Sequence, residues 1–575
     1  MKQKLTTLAI ILVSAFVCFS SLQAQSYNSQ FDKLSETILG TLQSFYPVHA
    51  TEMGIHAHDH RLADYSNASV EKFIAQLTEF EKKLYKYKGA RLSDHERVNF
   101  NLLKANVDVA LQDVKRIRWY AKSPQLYVDE AVNGIYFLMM SQHAPPAEKL
   151  YSIMSRMRAV PGLFAAARKN LSNPPKVYID AALKSLESGM RFYKQVTAEL
   201  SRQFPEKADE LIKISTHAQE AMNDFAAYLS DTNPGDERSF AIGKNNFDYK
   251  LNNEYFLNFD SDSLLNLGYT LLEEARREYS EYAKYVESNH RNNNDSVYVP
   301  ENFAKVDVMN YYNWETEQVK KFLIENNVIT VPDNIAPVTV VETPDYLRTM
   351  IGGIAYQPAG PFDNHQTGLF YVRPLGNLTD RFLLESMYKY VHRRGFKGSV
   401  MHEAYPGHHL QLQIAGMNPD PVRKWQQNIM MIEGWALYCE QMIYEQGLFG
   451  AEDPAQWLGV LGGVRFRAAR IVADVSLHTG KMTYDECVKW MQEVLEANTD
   501  SDKNYIETEV RRYTVSPTYQ MSYLMGKLEI MKLRDAMKEK QGEEFSLQDF
   551  HDRLLAEGSI PPTLMWDVLE LSKPL

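Results

Sequence analysis

The chain has 575 residues, with 62 Lys and Arg against 73 Asp and Glu, a formal charge of −11 with His neutral. No long basic run offsets that acidity, which argues against a nucleic-acid partner, because such proteins carry a basic patch to meet phosphate charge. At 45% hydrophobic and 23% charged residues the chain has the composition of a globular protein with a large core, and global disorder is excluded.

Lys2 and Lys4 precede an apolar stretch from Leu8 to Phe19 that ends in Ser20-Ser21-Leu22-Gln23-Ala24, the pattern of a signal peptide cut near Ala24. The stretch is shorter than the roughly 20 residues that a bilayer core demands, so no stable membrane span is expected after cleavage. Export to a periplasm or to the extracellular space follows. Lipidation through Cys18 is disfavoured, because Ala15-Phe16-Val17 places bulky residues where a lipoprotein signal takes small ones. Past this leader only Cys439 and Cys487 remain, too few for a disulfide framework, and Cys439 falls in an apolar helical pattern as a buried thiol.

From Phe31 to about Ser230 the hydrophobic period is helical, with long stretches at Val70 to Lys88, Ser93 to Lys115, Ala147 to Asn170 and Val177 to Phe204. His56, His58 and His60 follow Thr51-Glu52-Met53-Gly54-Ile55. They are spread along a Gly- and Asp-containing loop with no carboxylate-bearing helix beside them, and are read as structural. The Asn-rich stretch from Asn289 to Asn294 is expected as a surface loop near a lobe boundary at residue 300. This divides the chain into a leader (1–24), an N-terminal helical lobe (25–300) and a C-terminal lobe (301–575) that carries the motifs described next. Val328 to Val331, Val338 to Val341 and Gly368 to Val372 are short β-type runs that predict a small sheet. After Asp380 the helical pattern returns, so the fold class is mainly α.

The chemistry is concentrated in His402-Glu403-Ala404-Tyr405-Pro406-Gly407-His408-His409-Leu410-Gln411. Zinc hydrolases place two imidazoles and a general base on one side of a helix through a His-Glu pair and a second His four residues on. Here His402 and His408 are six residues apart, which in a regular helix leaves their side chains about 120° apart. Pro406-Gly407 sits inside the gap and permits a distortion that would restore the relation. His409 is the competing ligand; it returns to the same face but about 10.5 Å along the axis, so His408 is preferred. The third ligand is Glu433, flanked by Met431, Ile432, Trp435 and Ala436, where an ionised carboxylate needs a cation or strong donors. Glu440 is read as supporting the ligands or lying at the surface.

His402 to Gln411, Glu433-Gly434-Trp435-Ala436-Leu437-Tyr438 and a block around Arg512 together resemble the bacterial family DUF885, grouped with gluzincin-like zinc metallopeptidases; the resemblance extends to Pro47–Gly54 and Gly368–Pro374. It implies a two-lobed helical metallopeptidase with a deep cleft and a small β-sheet near the active site, binding Zn2+ and taking a peptide substrate. On that reading Glu403 activates the water and later protonates the leaving amine. Ser516 before Pro517 is a helix-start signature that puts Tyr519 and Tyr523 one turn apart on one face. Tyr523 is the first choice for an oxyanion donor, from its likeness in position to the transition-state tyrosine of gluzincins, with Tyr519 beside the substrate. Arg512 could clamp a terminal carboxylate, which would make the enzyme a carboxypeptidase or dipeptidyl carboxypeptidase. Gly368 to Val372, with Tyr371, is expected as an edge strand along the cleft, to which a peptide could add its backbone, or as a covered hairpin. Arg470, Asp474 and His478 share a helical face and would support the zinc ligands from behind, or pair in solvent.

Two rivals stand beside a peptidase: a zinc hydrolase of a non-peptide amide, which uses the same residues, and a non-catalytic peptide-binding protein on a peptidase scaffold. No Gly-x-Ser-x-Gly elbow and no phosphate-cradling Gly-x-x-x-x-Gly-Lys loop occurs.

Overall fold

The computed structural model of the chain describes residues 30–90, 92–289, 305–343, 354–364, 366–372, 385, 388, 397–448 and 454–573. The leader expected at 1–24, the boundary near residue 300 and most of 380–396 lie outside the described residues. No described helix is long and apolar enough to cross a membrane.

The fold is mainly helical with one small sheet. The four N-terminal stretches of helical period become helices Asn67–Tyr85, Asp94–Leu111, Pro146–Asn170 and Lys176–Gln203. Their ends follow local chemistry. Ser66 caps the first, and Ser93 with Glu96 forms a reciprocal capping box on the second, satisfying backbone donors that the first turn leaves open. Val70, Phe73, Leu77, Phe80 and Leu84 recur at three- and four-residue steps and form the buried stripe of the first.

Two hydrophobic cores result, and each draws on both sides of residue 300. One joins Phe73, Tyr193 and Phe225 to Tyr312, Phe370, Tyr405 and Trp435. The other joins Tyr178, Phe247 and Leu264 to Ile471, Tyr513 and Leu524. Helix Ile429–Glu445 lies between them, giving Met431, Trp435 and Tyr438 to the first and Met430 and Leu437 to the second. It is buried nearly all round, the condition in which a lone carboxylate is most costly. Cys439 and Cys487 are buried free thiols.

The sheet has three strands, β1 (Thr339–Glu342), β2 (Ala355–Gln357) and β3 (Leu369–Val372), in the order β1-β3-β2. β1 runs parallel to β3, with Val340 opposite Phe370, and β2 runs antiparallel to it, with Tyr356 opposite Phe370. The expected edge strand at Gly368 to Val372 is therefore the centre of the sheet. Tyr371 is 1% exposed and reaches Met140 Sδ at 3.5 Å, so it faces packing rather than a peptide. Val328 to Val331 forms no strand. Val328 and Ile329 are fully buried, and the Val328 carbonyl accepts from His551 Nδ1 at 2.7 Å, so these β-branched residues serve the core from a turn.

Candidate metal centre

Helix Lys397–Glu403 carries His402 in its last turn, and a new helix begins at His408. The gap is a turn between two helices rather than a bulge within one. It is tight: a Cβ on Gly407 would stand 1.9 Å from the His402 carbonyl oxygen, which only glycine avoids. The Trp435 indole N–H donates to the Pro406 carbonyl at 2.8 Å and ties the turn to the Glu433 helix. The reversal brings the His402 and His408 rings to 4.8 Å between centroids, at 88° to one another.

Helix Ile429–Glu445 packs against helix Tyr519–Gln541 at a glycine crossing. A Cβ on Gly434 would meet Gly526 Cα at 2.5 Å, and one on Gly526 would meet the Met430 carbonyl oxygen at 1.9 Å. Backbones this close let two tyrosines reach one carboxylate. The Tyr519 and Tyr523 hydroxyls donate to Glu433 Oε1 at 2.8 and 2.9 Å. Glu433 Oε2 is left facing His402 Nε2 at 3.7 Å and His408 Nε2 at 3.6 Å.

The three ligand atoms lie within 4.8 Å of one another. Bonds of about 2.1 Å in a tetrahedral zinc site put neighbouring donors about 3.4 Å apart, so both carboxylate–imidazole separations suit one ion. The donor set also fits, since two His and one Glu with an open fourth position is a recurrent catalytic arrangement. His402 Nδ1 donates to Glu440 Oε1 at 2.8 Å, which turns Nε2 toward the cluster; Glu440 thus lies behind a ligand. His408 Nδ1 is buried with no such partner among the described residues.

The ligand groups and Glu440 act strongly on one another. Burial works to lower the His402 pKa, but Glu433 and Glu440 outweigh it and push it up to about 10. Burial likewise works to raise Glu433, yet the two histidines hold it well below the usual carboxylate range. His409 is not part of this group. Its Nδ1 meets the Tyr356 hydroxyl at 2.9 Å, and burial pushes its pKa down to about 4, so it is a neutral core residue.

Glu403 faces a cavity of about 600 Å³ whose lining includes His402, Glu440, Arg467 and Tyr505. The structure thus brings His402, His408, Glu433, Tyr519 and Tyr523 together and sets Glu403 beside His402 on the cavity wall. It leaves Tyr371 in the core and occupies Arg512, whose Nε and Nη2 meet Glu509 at 3.3 and 2.8 Å, with its guanidinium 5.7 Å from the Tyr519 ring centroid.

Arg470, Asp474 and His478 do share a face, but they are buried and turned away from the ligands: the first two hold the start of the tyrosine helix and His478 the end of helix Asp500–Thr514 before it. The tyrosine helix starts at Tyr519, not at Pro517. Asp474, 0% exposed, accepts the Thr518, Gln520 and Met521 N–H groups at 3.0, 3.0 and 3.2 Å, satisfying donors at the helix start. Burial nevertheless pushes Asp474 up to about 7. Arg470 bonds Gln520 and lies 4.0 Å from the Tyr523 ring centroid, while His478 Nε2 donates to the Tyr513 carbonyl at 2.9 Å. Four-residue spacing could find the shared face but not what the face packs against.

A second His and Asp group forms at the loop read as structural. His56 Nδ1 meets Asp59 at 2.9 Å and His56 Nε2 meets Asp363 at 2.7 Å, while His143 stacks on the ring at 3.4 Å. Both ring nitrogens face carboxylates, so both carry protons and His56 is an imidazolium joining the two chain segments. The first carboxylate is local, and the second comes from 307 residues away. Against the lowering effect of burial, the two Asp push His56 up to about 9. The folded pKa is raised, so the contribution is complete below the unfolded value of about 6.5 and is lost as pH rises through about 9. Thermal denaturation is expected to show wild type losing up to about 3 kcal/mol more than His56→Gln between pH 6.5 and 9.5. Parallel pH profiles of the two proteins would remove the assignment.

The family described as "Bacterial protein of unknown function (DUF885)" matches residues 47–569. No curated protein matches the chain. It is similar in fold to two solved structures described as those of putative lipoproteins. One, of unknown function, is from Shewanella oneidensis: 21% identity, TM-score 0.74, covering 94% of this chain and 99% of that one. The other is from Colwellia psychrerythraea: 18% identity, TM-score 0.74, covering 94% of this chain and 98% of that one.

Proposed function

This chain belongs to the DUF885 family, and from that premise and the geometry around Glu433 we propose that it is an exported, zinc-dependent hydrolase that cleaves the peptide bonds of short peptides. One observation carries the reading: His402 Nε2, His408 Nε2 and Glu433 Oε2, from two separate segments, converge within 4.8 Å, and His402 lines a cavity together with Glu403. His402, His408 and Glu433 would hold the ion. A bound zinc would supply Lewis acidity toward the scissile carbonyl and acidify the attacking water.

This chain's own groups do the rest. Glu403 takes the proton of the attacking water and delivers it to the leaving nitrogen. Glu440 fixes the His402 tautomer, and Tyr519 holds Glu433 Oε1 so that Oε2 stays on the ligand side. Tyr523 is the oxyanion donor; its hydroxyl exchanges Glu433 for the substrate oxygen while Tyr519 keeps its bond, so the ligand carboxylate is never left unpaired. The fold relatives' description as lipoproteins supports a place in the cell envelope, and an intact-mass measurement of the purified protein tells a chain cut near Ala24 from one lipidated at Cys18.

The test is mass spectrometry of a defined peptide mixture incubated with zinc-loaded protein, with chelator, and after zinc restoration. Cuts that vanish with chelator and return with zinc are expected. Metal-loaded, folded protein that cuts no peptide would end the peptidase reading and shift weight to a non-peptide amide or to peptide binding without catalysis. Folded protein that takes up no zinc would end the ligand assignment itself.

A further inference from the structure

We propose that Arg467, a residue not singled out by any motif, anchors the free C-terminal carboxylate of the substrate, so that the protein trims peptides from that end. The inference rests on the peptidase reading, since it places a peptide in the cavity that Glu403 lines.

Helix Pro454–His478 presents Arg467 and Arg470 three residues apart toward Tyr523, with guanidinium carbons 5.8 and 4.0 Å from its ring centroid. The neighbouring arginines are already engaged. Arg470 is 3% exposed and bonded to Gln520, Arg512 is held by Glu509, and Arg465 meets Glu496 at 3.2 Å and the Leu495 carbonyl at 3.0 Å. Arg467 has no hydrogen bond or ion pair among the described residues, and its Nε is out of reach of solvent without a partner. A buried Nε–H left without an acceptor costs stability, and the rest of this half-buried guanidinium is open to a ligand in the cavity.

The nearest acid does not do so. Glu440 Oε1 is taken by His402 at 2.8 Å, and no nitrogen of Arg467 comes within ion-pair range of it. Arg467 lines the same cavity as Glu403 and His402. The planar fork matches a carboxylate through two parallel bonds. A phosphate dianion suits the place less well, because Glu403 and Glu440 line the same walls and repel added negative charge. A side-chain carboxylate at the end of a peptide has the same chemistry as the terminus itself, and the experiment separates them.

The test is calorimetric titration of zinc-loaded Glu403→Gln protein, which binds without turnover, with one pentapeptide in three forms: free acid, C-terminal amide, and amide with Glu as last residue. The free acid is expected to bind at least tenfold more tightly than either amide. Arg467→Gln in the same background is expected to abolish the difference. Arg467→Lys, which keeps the charge and fills the space, is expected to lose most of it because it lacks the fork. Equal binding of acid and plain amide overturns the proposal, as do discrimination surviving in Arg467→Gln, equal binding of the Glu-ended amide, and no binding of any form. The two readings fail separately: wild-type cleavage of acid and amide at equal rates keeps the peptidase and removes this anchor, whereas carboxylate-selective binding without cleavage by zinc-loaded wild type does the reverse.

Discussion

Glu403→Gln is expected to lower kcat/KM for a cleaved peptide by about 10³-fold or more, while zinc content and melting temperature stay at wild-type values. Gln keeps the shape of Glu and removes only the ability to accept and return a proton. The position is suited to so clean a change. Glu403 ends its helix at the cavity wall, is half-buried, and no hydrogen bond or ion pair to a described residue depends on its charge. Its neighbour His402 keeps its bond to Glu440 and its place before Glu433 in the variant. The effect should therefore fall on the chemical step, with KM little altered. A variant retaining more than a tenth of the wild-type rate would remove Glu403 from the base role, and one that lost zinc would place it among the ligands.

Gly407→Ala is expected to destabilise the protein by about 3 kcal/mol and to weaken zinc binding at least tenfold. The added Cβ would lie 1.9 Å from the His402 carbonyl oxygen and 2.4 Å from that of Met401, both backbone atoms of the preceding helix that no rotamer change can move aside. Relief requires the turn to open, and opening it swings His408 away from His402 and Glu433. A spectroscopic zinc-competition assay and a denaturant titration read the two effects. Gly162→Ala is the control. Gly162 lies inside helix Pro146–Asn170 with nothing near its missing Cβ, so stability there should be unchanged or raised by up to about 1 kcal/mol. If Gly407→Ala bound zinc and unfolded like wild type, the tight turn would not be what sets the ligand pair.

Both predictions concern residues visible in the bare sequence, and the reasons they work were only partly visible there. The alternation of apolar residues marked the long helices to within a few positions, because helical period is a property of one segment and needs no partner. The His-Glu pair, the later His and the carboxylate in an apolar run could be read as a zinc set for a similar reason: each is an energetic anomaly in its own neighbourhood. The strands were less legible. A strand is completed by a partner elsewhere, and Gly368 to Val372 became central only because β1 and β2 came to lie on either side of it. Val328 to Val331 had the same composition and found a core instead.

What the sequence determined alone was the mainly helical class, the export-type leader as an expectation, and the residue types able to hold a metal. The sequence already preferred His408 to His409; only the tertiary structure gave His409 its partner in Tyr356, put both tyrosines on the oxygen of Glu433 that faces away from the histidines, set Glu440 behind His402, tied Arg512 to Glu509 and left Arg467 without a hydrogen bond or ion pair among the described residues. Each of these is a matter of which groups meet across a helix crossing or a turn. Spacing along the chain states what a segment can offer, whereas hydrogen bonds and ion pairs depend on distances of a few ångströms between segments that fold together.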